Sequence, residues 1–570
     1  MAQSRSSCRL AFLLILLVVA APVSAASPDP VRGTGGAVAS AAPAATEAGL
    51  EILRAGGNAV DAAVATAIAL AVVHPQAGNL GGGGFAVTRM GGKVSTLDFR
   101  EAAPAAADHD MYLDASGEPV AENSLVGPLA AGVPGSPAGL WELHQRYGLL
   151  DWAQVVAPAV RLAGDGFVVT PRLERSVVKA EKLLGRFPET AAVWLPGGNP
   201  PAAGSVMTIP DLAATLLAYA KKGPEAITGG ALATAIETAS DRHGGILTVA
   251  DLEAYRPVWR EPVIFEAFGW RVASMPLPSS GGIILGQTTG LLELVKWRQA
   301  PRFGAERAHL LVEAWRRAYA DRVLLGDPTT TRATAADLLD EEWFNFRVGE
   351  LVSPRATPSA DVRNWTPAAT SESTETTHLS VADGAGNVVS ITTTLNGSFG
   401  CGLLVPGVGF LLNNEMDDFA AAPGRPNLYG LIQGEANAVG PGKRMLSSMS
   451  PAVAWRENET MALGSPGGST IPTVTAQVLL NVIVDGDDIQ AAVNRPRIHH
   501  QWMPDQIAVE PDAFSPETAT ELERRGHKLK DRSRLGEVNV VRVTSDGIVE
   551  AAADPRGPGS AGVVQPAPGS

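Results

Sequence analysis

The segment around Glu375 and Thr376 carries the most informative candidate chemistry in the sequence. Residues 351–375 are rich in Ser, Thr, Pro and Ala and have no periodicity, so we interpret them as an exposed tail. A strand-like run begins at Thr377. At such a junction the hydroxyl of Thr376 can attack the carbonyl of Glu375, and an N-to-O acyl shift followed by hydrolysis frees the α-amine of Thr376. That amine has a reference pKa near ~7.7–8.0 and is a general base on the same residue as the nucleophile.

The segment alone also fits an ordinary strand threonine, so the prediction depends on the polar motifs that follow at fixed distances. Strand-like runs at 377–382 and 388–395 surround an Asp-Gly-Ala-Gly-Asn turn and predict a hairpin that returns its end beside Thr376. An apolar run then leads into a group of carboxylates, and serine-rich and glycine-rich motifs come after it. The polar residues in these motifs are Thr394, Asn396, Glu415, Asp418, Ser447, Ser448, Gly467 and Gly468.

Other common catalytic and metal signatures are missing from the sequence. There is no GxSxG or HExxH motif, and His499 and His500 are adjacent, so their rings would diverge on a strand; no metal site is predicted. The glycine run Gly81–Gly84 lacks the pattern of a phosphate loop and is interpreted as close backbone packing. Cys401 is interpreted as a small buried apolar side chain rather than a nucleophile. We expect no cofactor.

Composition and charge restrict the class of protein. The chain has 570 residues, of which 45% are hydrophobic, and its formal net charge is -14. That charge argues against a protein that binds nucleic acid and against one with a polybasic membrane-binding surface, because binding to phosphate groups requires a positively charged protein surface. Residues 1–25 have a basic start, an apolar run of about 11 residues and a Val-Ser-Ala cleavage site, which is typical of a signal peptide. The run is too short to span a membrane, so we expect an exported protein without a membrane anchor, periplasmic or secreted and bacterial.

Several elements that must position these motifs can be predicted from the sequence. Asn58 is expected to cap a helix over 59–73 that is apolar nearly all round and therefore buried. The other predicted elements are a helix over 45–55 that ends at Gly56, a strand over 85–88, a strand over 270–274 and a helix over 309–321.

The motifs TTHLS, TTTLN, LLNNEMDDF, KRMLSSMSP and GSPGGS, in this order and spacing, resemble the small subunit of the γ-glutamyltranspeptidase family. GGNAVDAAVA, GNLGGGGF and LDFREAAP resemble its large subunit, and RPRIHHQW and ADPR also fit, so the resemblance covers residues 31–560. It implies an α+β fold, the αββα four-layer sandwich of N-terminal-nucleophile hydrolases. It also implies a precursor cut into a large subunit, 26–375, and a small subunit, 376–570, that remain together as a heterodimer.

The resemblance further implies roles for individual residues. Thr376 would be the nucleophile, Thr394 would orient it, and the backbone N–H groups of Gly467 and Gly468 would form the oxyanion hole. The substrate's α-carboxylate would be bound by Arg100, whose planar fork suits a two-point contact, with Ser447 and Ser448 as further donors. The residues implied around the α-ammonium group are Asn396, Glu415 and Asp418. The stretch 423–434, with Tyr429, resembles a lid loop that favours small donors such as glutathione over polymeric ones.

The implied activity is transfer of a γ-glutamyl group from glutathione and related donors to water, amino acids or dipeptides. Two alternatives keep the fold and change the substrate: a cephalosporin (glutaryl) acylase and a poly-γ-glutamate depolymerase. Asp418 discriminates against the acylase, because a glutaryl group has no α-amine to pair with it. A third alternative is a non-catalytic exported binding protein, which an uncut chain on a denaturing gel would favour.

Overall fold

The computed structural model describes residues 28–351, 353–364, 375–422 and 434–565. The predicted signal peptide, Tyr429 with most of the predicted lid, and residues 365–374 before the predicted cleavage site lie outside the described residues. Of Glu375 only the backbone is described.

The strands of the described residues are short and form two large and two small sheets. They are β1 (Val31–Gly33), β2 (Gly36–Ser40), β3 (Gly83–Met90), β4 (Lys93–Phe99), β5 (Phe167–Val168), β6 (Val206–Met207), β7 (Val258–Arg260), β8 (Val263–Ala267), β9 (Trp270–Ser274), β10 (Glu375–Asp383), β11 (Val388–Asn396), β12 (Ala452–Arg456), β13 (Glu459–Gly464), β14 (Ile498–His499), β15 (Ile507–Val509), β16 (Leu529–Asp531), β17 (Asn539–Val543), β18 (Val549–Ala552) and β19 (Ser560–Val564).

Sheet I has the strand order β1-β18-β17-β13-β12-β9-β8, and sheet II has the order β19-β2-β10-β11-β3-β4-β7. The strand pairs of both sheets are antiparallel. Each sheet contains strands from both sides of the predicted cleavage site. The predicted hairpin is confirmed: β10 and β11 pair directly and lie at the centre of sheet II.

The α-helices of the described residues are α1 (Pro43–Arg54), α2 (Ala59–Val73), α3 (Ala121–Leu125), α4 (Ser136–Tyr147), α5 (Trp152–Gly164), α6 (Pro171–Leu184), α7 (Pro188–Trp194), α8 (Pro210–Lys222), α9 (Glu225–Thr228), α10 (Gly230–Arg242), α11 (Val249–Ala254), α12 (Gly281–Leu294), α13 (Ala305–Asp321), α14 (Ala335–Leu338), α15 (Glu341–Leu351), α16 (Ile471–Ile483), α17 (Ile489–Asn494) and α18 (Pro516–Arg524). None of these helices combines the length and the apolarity that a membrane crossing requires.

The two large sheets stack on each other and are covered by helices on both outer faces. Ala39 and Val87 of sheet II and Val453 and Val541 of sheet I belong to one buried apolar cluster between the sheets. Helices α1, α2, α5 and α8 share the core on the outer face of sheet II. Helices α12, α16 and α17 pack on sheet I. The predicted αββα sandwich is therefore confirmed.

Local sequence accounts for the most buried helix, α2. The side chain of Asn58 accepts hydrogen bonds from the backbone N–H groups of Val60 and Asp61, and the Asp61 carboxylate accepts from the N–H of Asn58 at 2.9 Å. This reciprocal capping fixes the start of the helix where the sequence predicts it. Every residue of α2 is buried, because helices and sheet II surround it on all sides.

Residues 353–364, the first part of the predicted tail, are held in place although most of their side chains are exposed. The N–H of Thr357 donates to Glu313 at 3.2 Å, and the N–H of Ser359 donates to Asp505 at 2.9 Å. The indole of Trp502 donates to the carbonyl of Ser359 at 2.7 Å, and Ser359 is fully buried. The sequence pattern missed this anchoring because the partners lie far away along the chain.

Candidate active site

The central hairpin of sheet II brings Thr376 beside Thr394. Across it, Glu375 pairs with Asn396 and Thr377 pairs with Thr393, and the register shifts between these pairs. The shift is a β-bulge in which Thr376 alone faces Thr394 and its neighbour. Thr376 is 7% exposed. The predicted nucleophile thus lies on a buried strand, next to the residue predicted to orient it.

The glycine run Gly81–Gly84 allows β3 to approach this hairpin. A Cβ at Gly82 would lie 2.1 Å from the carbonyl oxygen of Thr394, so a side chain there would collide with backbone. The Asn79 amide donates to the same carbonyl at 2.7 Å and fixes the end of β11. The prediction of close backbone packing is confirmed.

Asn396 ends β11 with a φ of 69°, a left-handed conformation that asparagine tolerates better than most residues. Its N–H donates to Thr394 Oγ1 at 2.7 Å, and its side-chain amide donates to the carbonyl of Asn414 at 2.9 Å. The first bond uses Thr394 Oγ1 as an acceptor, so the hydroxyl can still donate to a second group. Left-handed backbone conformations at residues other than glycine often occur at ligand-binding sites.

Arg100 directly follows β4 and is the only guanidinium lining the pocket beside Thr376 among the described residues. It is 1% exposed and forms ion pairs with Glu415 and Asp418. Its Nε also donates to the carbonyl of Met445 at 3.3 Å. The residues predicted for the two ends of a zwitterion are thus brought together, and here they pair with each other.

The pocket contains more carboxylate than guanidinium. Besides Glu415 and Asp418, Glu101 lies with its Oε2 3.8 Å from Arg100 Nη1. Burial raises the pKa of Glu101 to about 7, although Arg100 opposes the rise. Burial likewise raises the pKa of Glu415 well above its ordinary value. The guanidinium is also buried, but the three carboxylates raise its pKa on balance. The pocket therefore favours an additional cation.

A small cavity next to Thr376 is lined by nearly all the predicted residues and has space for about one water molecule, about 10 Å³. The buried atoms Glu415 Oε2 and Ser448 Oγ have no hydrogen-bond partner among the described residues. Since buried polar groups are normally paired, these atoms are suited to a ligand. The cavity is lined by Arg100, Thr376, Thr394, Asn396, Glu415, Asp418, Ser447, Ser448 and Gly468, with Met449 and Ile471.

Gly467 and Gly468 form the turn that leads into α16. Gly467 has a φ of 131° and Gly468 a φ of 56°, both in the region that favours glycine. A Cβ at Gly467 would lie 2.4 Å from Thr470 Oγ1. Backbone N–H groups at the start of a helix have no partner within the helix and attract negative charge. This arrangement is suited to stabilising an oxyanion.

Two contributions to the site are not among the predicted residues. Glu101 adds a third buried carboxylate, and its position next to Arg100 in the LDFREAAP motif is the only sequence signal for it. The backbone carbonyl of Met445 accepts from Arg100, a contact that no side-chain pattern encodes.

The histidine nearest to Thr376 in sequence is His378, and its imidazole hydrogen-bonds to side chains inside the protein. Its ring nitrogens hydrogen-bond to Thr392 Oγ1 and Ser380 Oγ, both at 2.9 Å. Burial lowers the pKa of His378 to about 3, so the ring is neutral. Cys401 is also fully buried, and burial raises its pKa to about 12, which leaves a protonated thiol rather than a nucleophile.

One group of side chains in the described ranges has the spacing of metal ligands: His309, Glu313 and His527, with ligand atoms within 4.8 Å of one another. His309 hydrogen-bonds to His527 at 2.9 Å. Glu313 is paired with Arg316 and Arg317, and these two guanidinium groups already supply the positive charge that a cation would bring. The group therefore fits an internal hydrogen-bond network better than a metal site.

The adjacent residues His499 and His500 have their imidazole rings next to other side chains of this chain. His499 contacts Thr473 and Gln501, both at 2.8 Å, and His500 lies 3.4 Å from Asp505. Burial lowers the pKa of both rings to about 4.

Comparisons with known proteins show similarity along most of the chain. The family model described as Gamma-glutamyltranspeptidase matches residues 45–564. The glutathione hydrolase proenzyme of Escherichia coli (strain K12) is 42% identical over 531 residues, which are 92% of this chain and 91% of that protein. The acylase ACY 1 proenzyme of Pseudomonas sp. (strain V22) is 36% identical over 535 residues, 92% of each.

Solved structures are similar as well. The cephalosporin acylase from Bacillus halodurans has a TM-score of 0.84 at 28% identity and covers 97% of this chain and 100% of that chain. The Helicobacter pylori gamma-glutamyltranspeptidase structure has a TM-score of 0.56 at 36% identity and covers 56% of this chain and 93% of that chain.

Proposed function

The chain belongs to the γ-glutamyltranspeptidase family, and we propose that it is a self-processed γ-glutamyltranspeptidase that cleaves the γ-glutamyl amide of glutathione and related donors. The observation that carries this proposal is the position of Thr376, which faces Thr394 across a bulge and borders a pocket lined by one guanidinium and two carboxylates, with Glu101 buried 3.8 Å from that guanidinium. The acyl group passes to water, an amino acid or a dipeptide.

Maturation is proposed to begin with attack of the Thr376 hydroxyl on the carbonyl of Glu375. The acyl shift and hydrolysis then give two chains, 26–375 and 376–570. The chains stay together because β10 and β11 of the small chain pair with β2 and β3 of the large chain in sheet II. The signal-like residues 1–25 support export of the precursor to the periplasm or medium.

Donor binding is proposed to exchange ion pairs rather than create unpaired charge. In the free pocket Arg100 is paired with Glu415 and Asp418. A γ-glutamyl group brings a carboxylate for the guanidinium and an ammonium for the carboxylates, so each buried charge again has a partner. Because a buried charge without a partner costs several kcal/mol, a donor that lacks either end binds more weakly.

In acylation the freed α-amine of Thr376 accepts the hydroxyl proton while Oγ attacks the γ-carbonyl carbon. The oxyanion that forms is stabilised by the N–H groups of the Gly467–Gly468 turn. The amine then delivers the proton to the departing nitrogen, which leaves a γ-glutamyl ester on Thr376. Attack by water or an acceptor amine releases the acyl group.

A glutaryl-type acylase activity is the second candidate, because the ACY 1 relative is 36% identical over 92% of the chain. The excess of buried carboxylate in the pocket favours donors with an α-ammonium group over glutaryl donors. We therefore expect glutaryl amides to be the poorer substrates.

The test uses purified protein, glutathione and a denaturing gel. We expect the wild type to give two chains, the smaller beginning at Thr376 by N-terminal sequencing, and to release cysteinylglycine from glutathione. Thr376→Ala should stay one chain and be inactive, while Thr376→Ser should cut slowly. A small chain that begins at any other residue, or an active Thr376→Ala, would contradict the proposal.

A further inference from the structure

Two successive carbonyl groups in the turn before α16 are held by hydroxyl side chains. The Ser465 hydroxyl donates to the carbonyl of Pro466 at 2.8 Å, and the Thr470 hydroxyl donates to the carbonyl of Gly467 at 2.8 Å. The N–H of Thr470 donates to the same Gly467 carbonyl at 3.1 Å. Two neighbouring peptide groups of the turn are therefore fixed on their carbonyl side.

The same two peptide groups carry the N–H groups proposed for the oxyanion hole. The carbonyl of Pro466 and the N–H of Gly467 belong to one peptide group, and the carbonyl of Gly467 and the N–H of Gly468 belong to the next. Both peptide bonds are trans, and in a planar trans peptide the C=O and N–H bonds point in opposite directions. A hydroxyl that holds one of these carbonyls therefore also fixes the direction of the N–H on the opposite side.

The two glycines lie beside the proposed nucleophile and cannot hold this orientation by themselves. Gly468 and Thr376 line the small pocket that contains Arg100, and Gly467 and Thr376 line a second cavity. Neither glycine N–H donates to an acceptor within the described ranges. Because glycine restricts its backbone torsions less than any other residue, the restraint on these peptide groups must come from their neighbours.

Ser465 is itself held in place and has its hydroxyl proton available. Its side chain is fully buried, and the N–H of Glu537 donates to Ser465 Oγ at 2.9 Å. Since that bond uses Oγ as an acceptor, the single hydroxyl proton can be donated to the carbonyl of Pro466. A Cβ at Gly536 would lie 2.5 Å from Ser465 Oγ, so only a glycine allows this close approach. Ser465 thus connects the turn to the segment that leads into β17.

We propose that Ser465 and Thr470 are positioning residues, which aim the N–H groups of Gly467 and Gly468 at the oxyanion. The inference rests on the proposed function and adds the side chains that prepare its oxyanion hole. Such donors lower the barrier only if they are oriented before the negative charge forms. Acylation of Thr376 and release of the acyl group both pass through an oxyanion at the same carbon, so both steps depend on the two hydroxyls.

The test measures kcat and KM for γ-glutamyl-4-nitroanilide in Ser465→Ala, Thr470→Val and Thr470→Ser. We expect the first two variants to lower kcat by on the order of tenfold each, because deleting an oxyanion donor outright costs about 10²–10³-fold and these changes only misdirect one. The KM should change by less than about threefold, since the ground state of the donor carries no oxyanion. Thr470→Ser keeps the hydroxyl, so its kcat should stay within about twofold of the wild type. Values of kcat are expressed per processed small chain, so slower maturation does not count as slower turnover.

The matched control is Thr473→Val. The Thr473 hydroxyl donates to the carbonyl of Thr470 at 2.9 Å, a bond of the same kind in the next turn of the chain. That peptide group carries the N–H of Ile471, which starts α16 and is not a proposed oxyanion donor. The control should therefore keep the wild-type kcat.

An unchanged kcat in Ser465→Ala or in Thr470→Val would overturn the inference, and so would an equal loss in the control or in Thr470→Ser. A raised KM with kcat unchanged would overturn it as well, because that result indicates a loss of donor binding. The two Thr470 variants decide alone if Ser465→Ala yields no folded protein. A wild type that releases no nitroaniline would overturn the proposed function, and this inference with it.

Discussion

Among the described residues, Arg100 is the only guanidinium lining the small pocket beside Thr376, and methionine would replace it with a side chain of similar length. Glu101, Glu415 and Asp418 would then remain buried without a counter-charge from the described part of the chain. We expect one more carboxyl of this group, one that is ionised in the parent, to become protonated in the folded variant. With an ordinary Glu pKa of 4.5, this protonation costs 1.36 kcal/mol for each pH unit above that value, or about 4 kcal/mol at pH ~7.5 and about 0.7 kcal/mol at pH ~5.

The direction in which pH changes the stability of the variant follows from the linkage between protonation and folding. A carboxyl group whose folded pKa is raised loses stability as pH rises from the unfolded pKa to the folded one, and below the unfolded pKa no penalty remains. The entropy of unfolding is roughly 2.1 cal/mol/K per residue, so 1 kcal/mol corresponds to a shift in Tm of about 1 °C for a chain of this size. We therefore expect Arg100→Met to lower the Tm by about 3–4 °C at pH ~7.5 and by less than about 1 °C at pH ~5.

The assay is differential scanning calorimetry of Arg100→Met and its parent at the two pH values. Both proteins carry Thr376→Ala, so that each is expected to unfold as a single uncut chain. Arg100→Lys, which keeps a positive charge but not the planar fork, should lie between them. A loss of Tm that is equal at the two pH values, or larger at pH ~5, would refute the charge-based account of this pocket.

Four further outcomes are expected. Asp418→Asn should raise the ratio of kcat/KM for glutaryl over γ-glutamyl anilides, because the loss of one carboxylate weakens the demand for an α-ammonium group; an unchanged ratio would count against that role. The KM of γ-glutamyl donors should rise as pH falls through about 7, where Glu101 becomes protonated, and a glutaryl donor measured over the same range should not show this rise. Gly467→Ala should lower kcat by on the order of 10²-fold with a smaller change in KM, since a Cβ collides with Thr470 and would displace the proposed oxyanion donors; a raised KM with kcat unchanged would indicate a binding defect instead. Burial alone would raise the pKa of Glu313, but its two arginine partners lower this pKa on balance. Glu313→Gln should therefore lower the Tm by about 3–4 °C at pH ~7.5. Calorimetry should find a smaller loss of Tm as pH falls through the depressed pKa.

The local features of this protein are determined by its sequence alone. Asn58 and Asp61 are three residues apart, so the helix start that they form depends only on near neighbours. The hairpin of β10 and β11 is likewise encoded by two strand-like runs and a glycine-containing turn. The ordered set of motifs around Thr376 was enough to predict the family and the αββα fold.

Tertiary structure decided how the charges of the site are arranged. Arg100 meets Glu415 and Asp418 across 315 and 318 residues of sequence, and only packing puts these groups together in a buried pocket. The raised pKa of Glu101 and the anchoring of residues 353–364 have the same origin. Electrostatic energies depend on burial and on distance in space, and a sequence pattern reports neither.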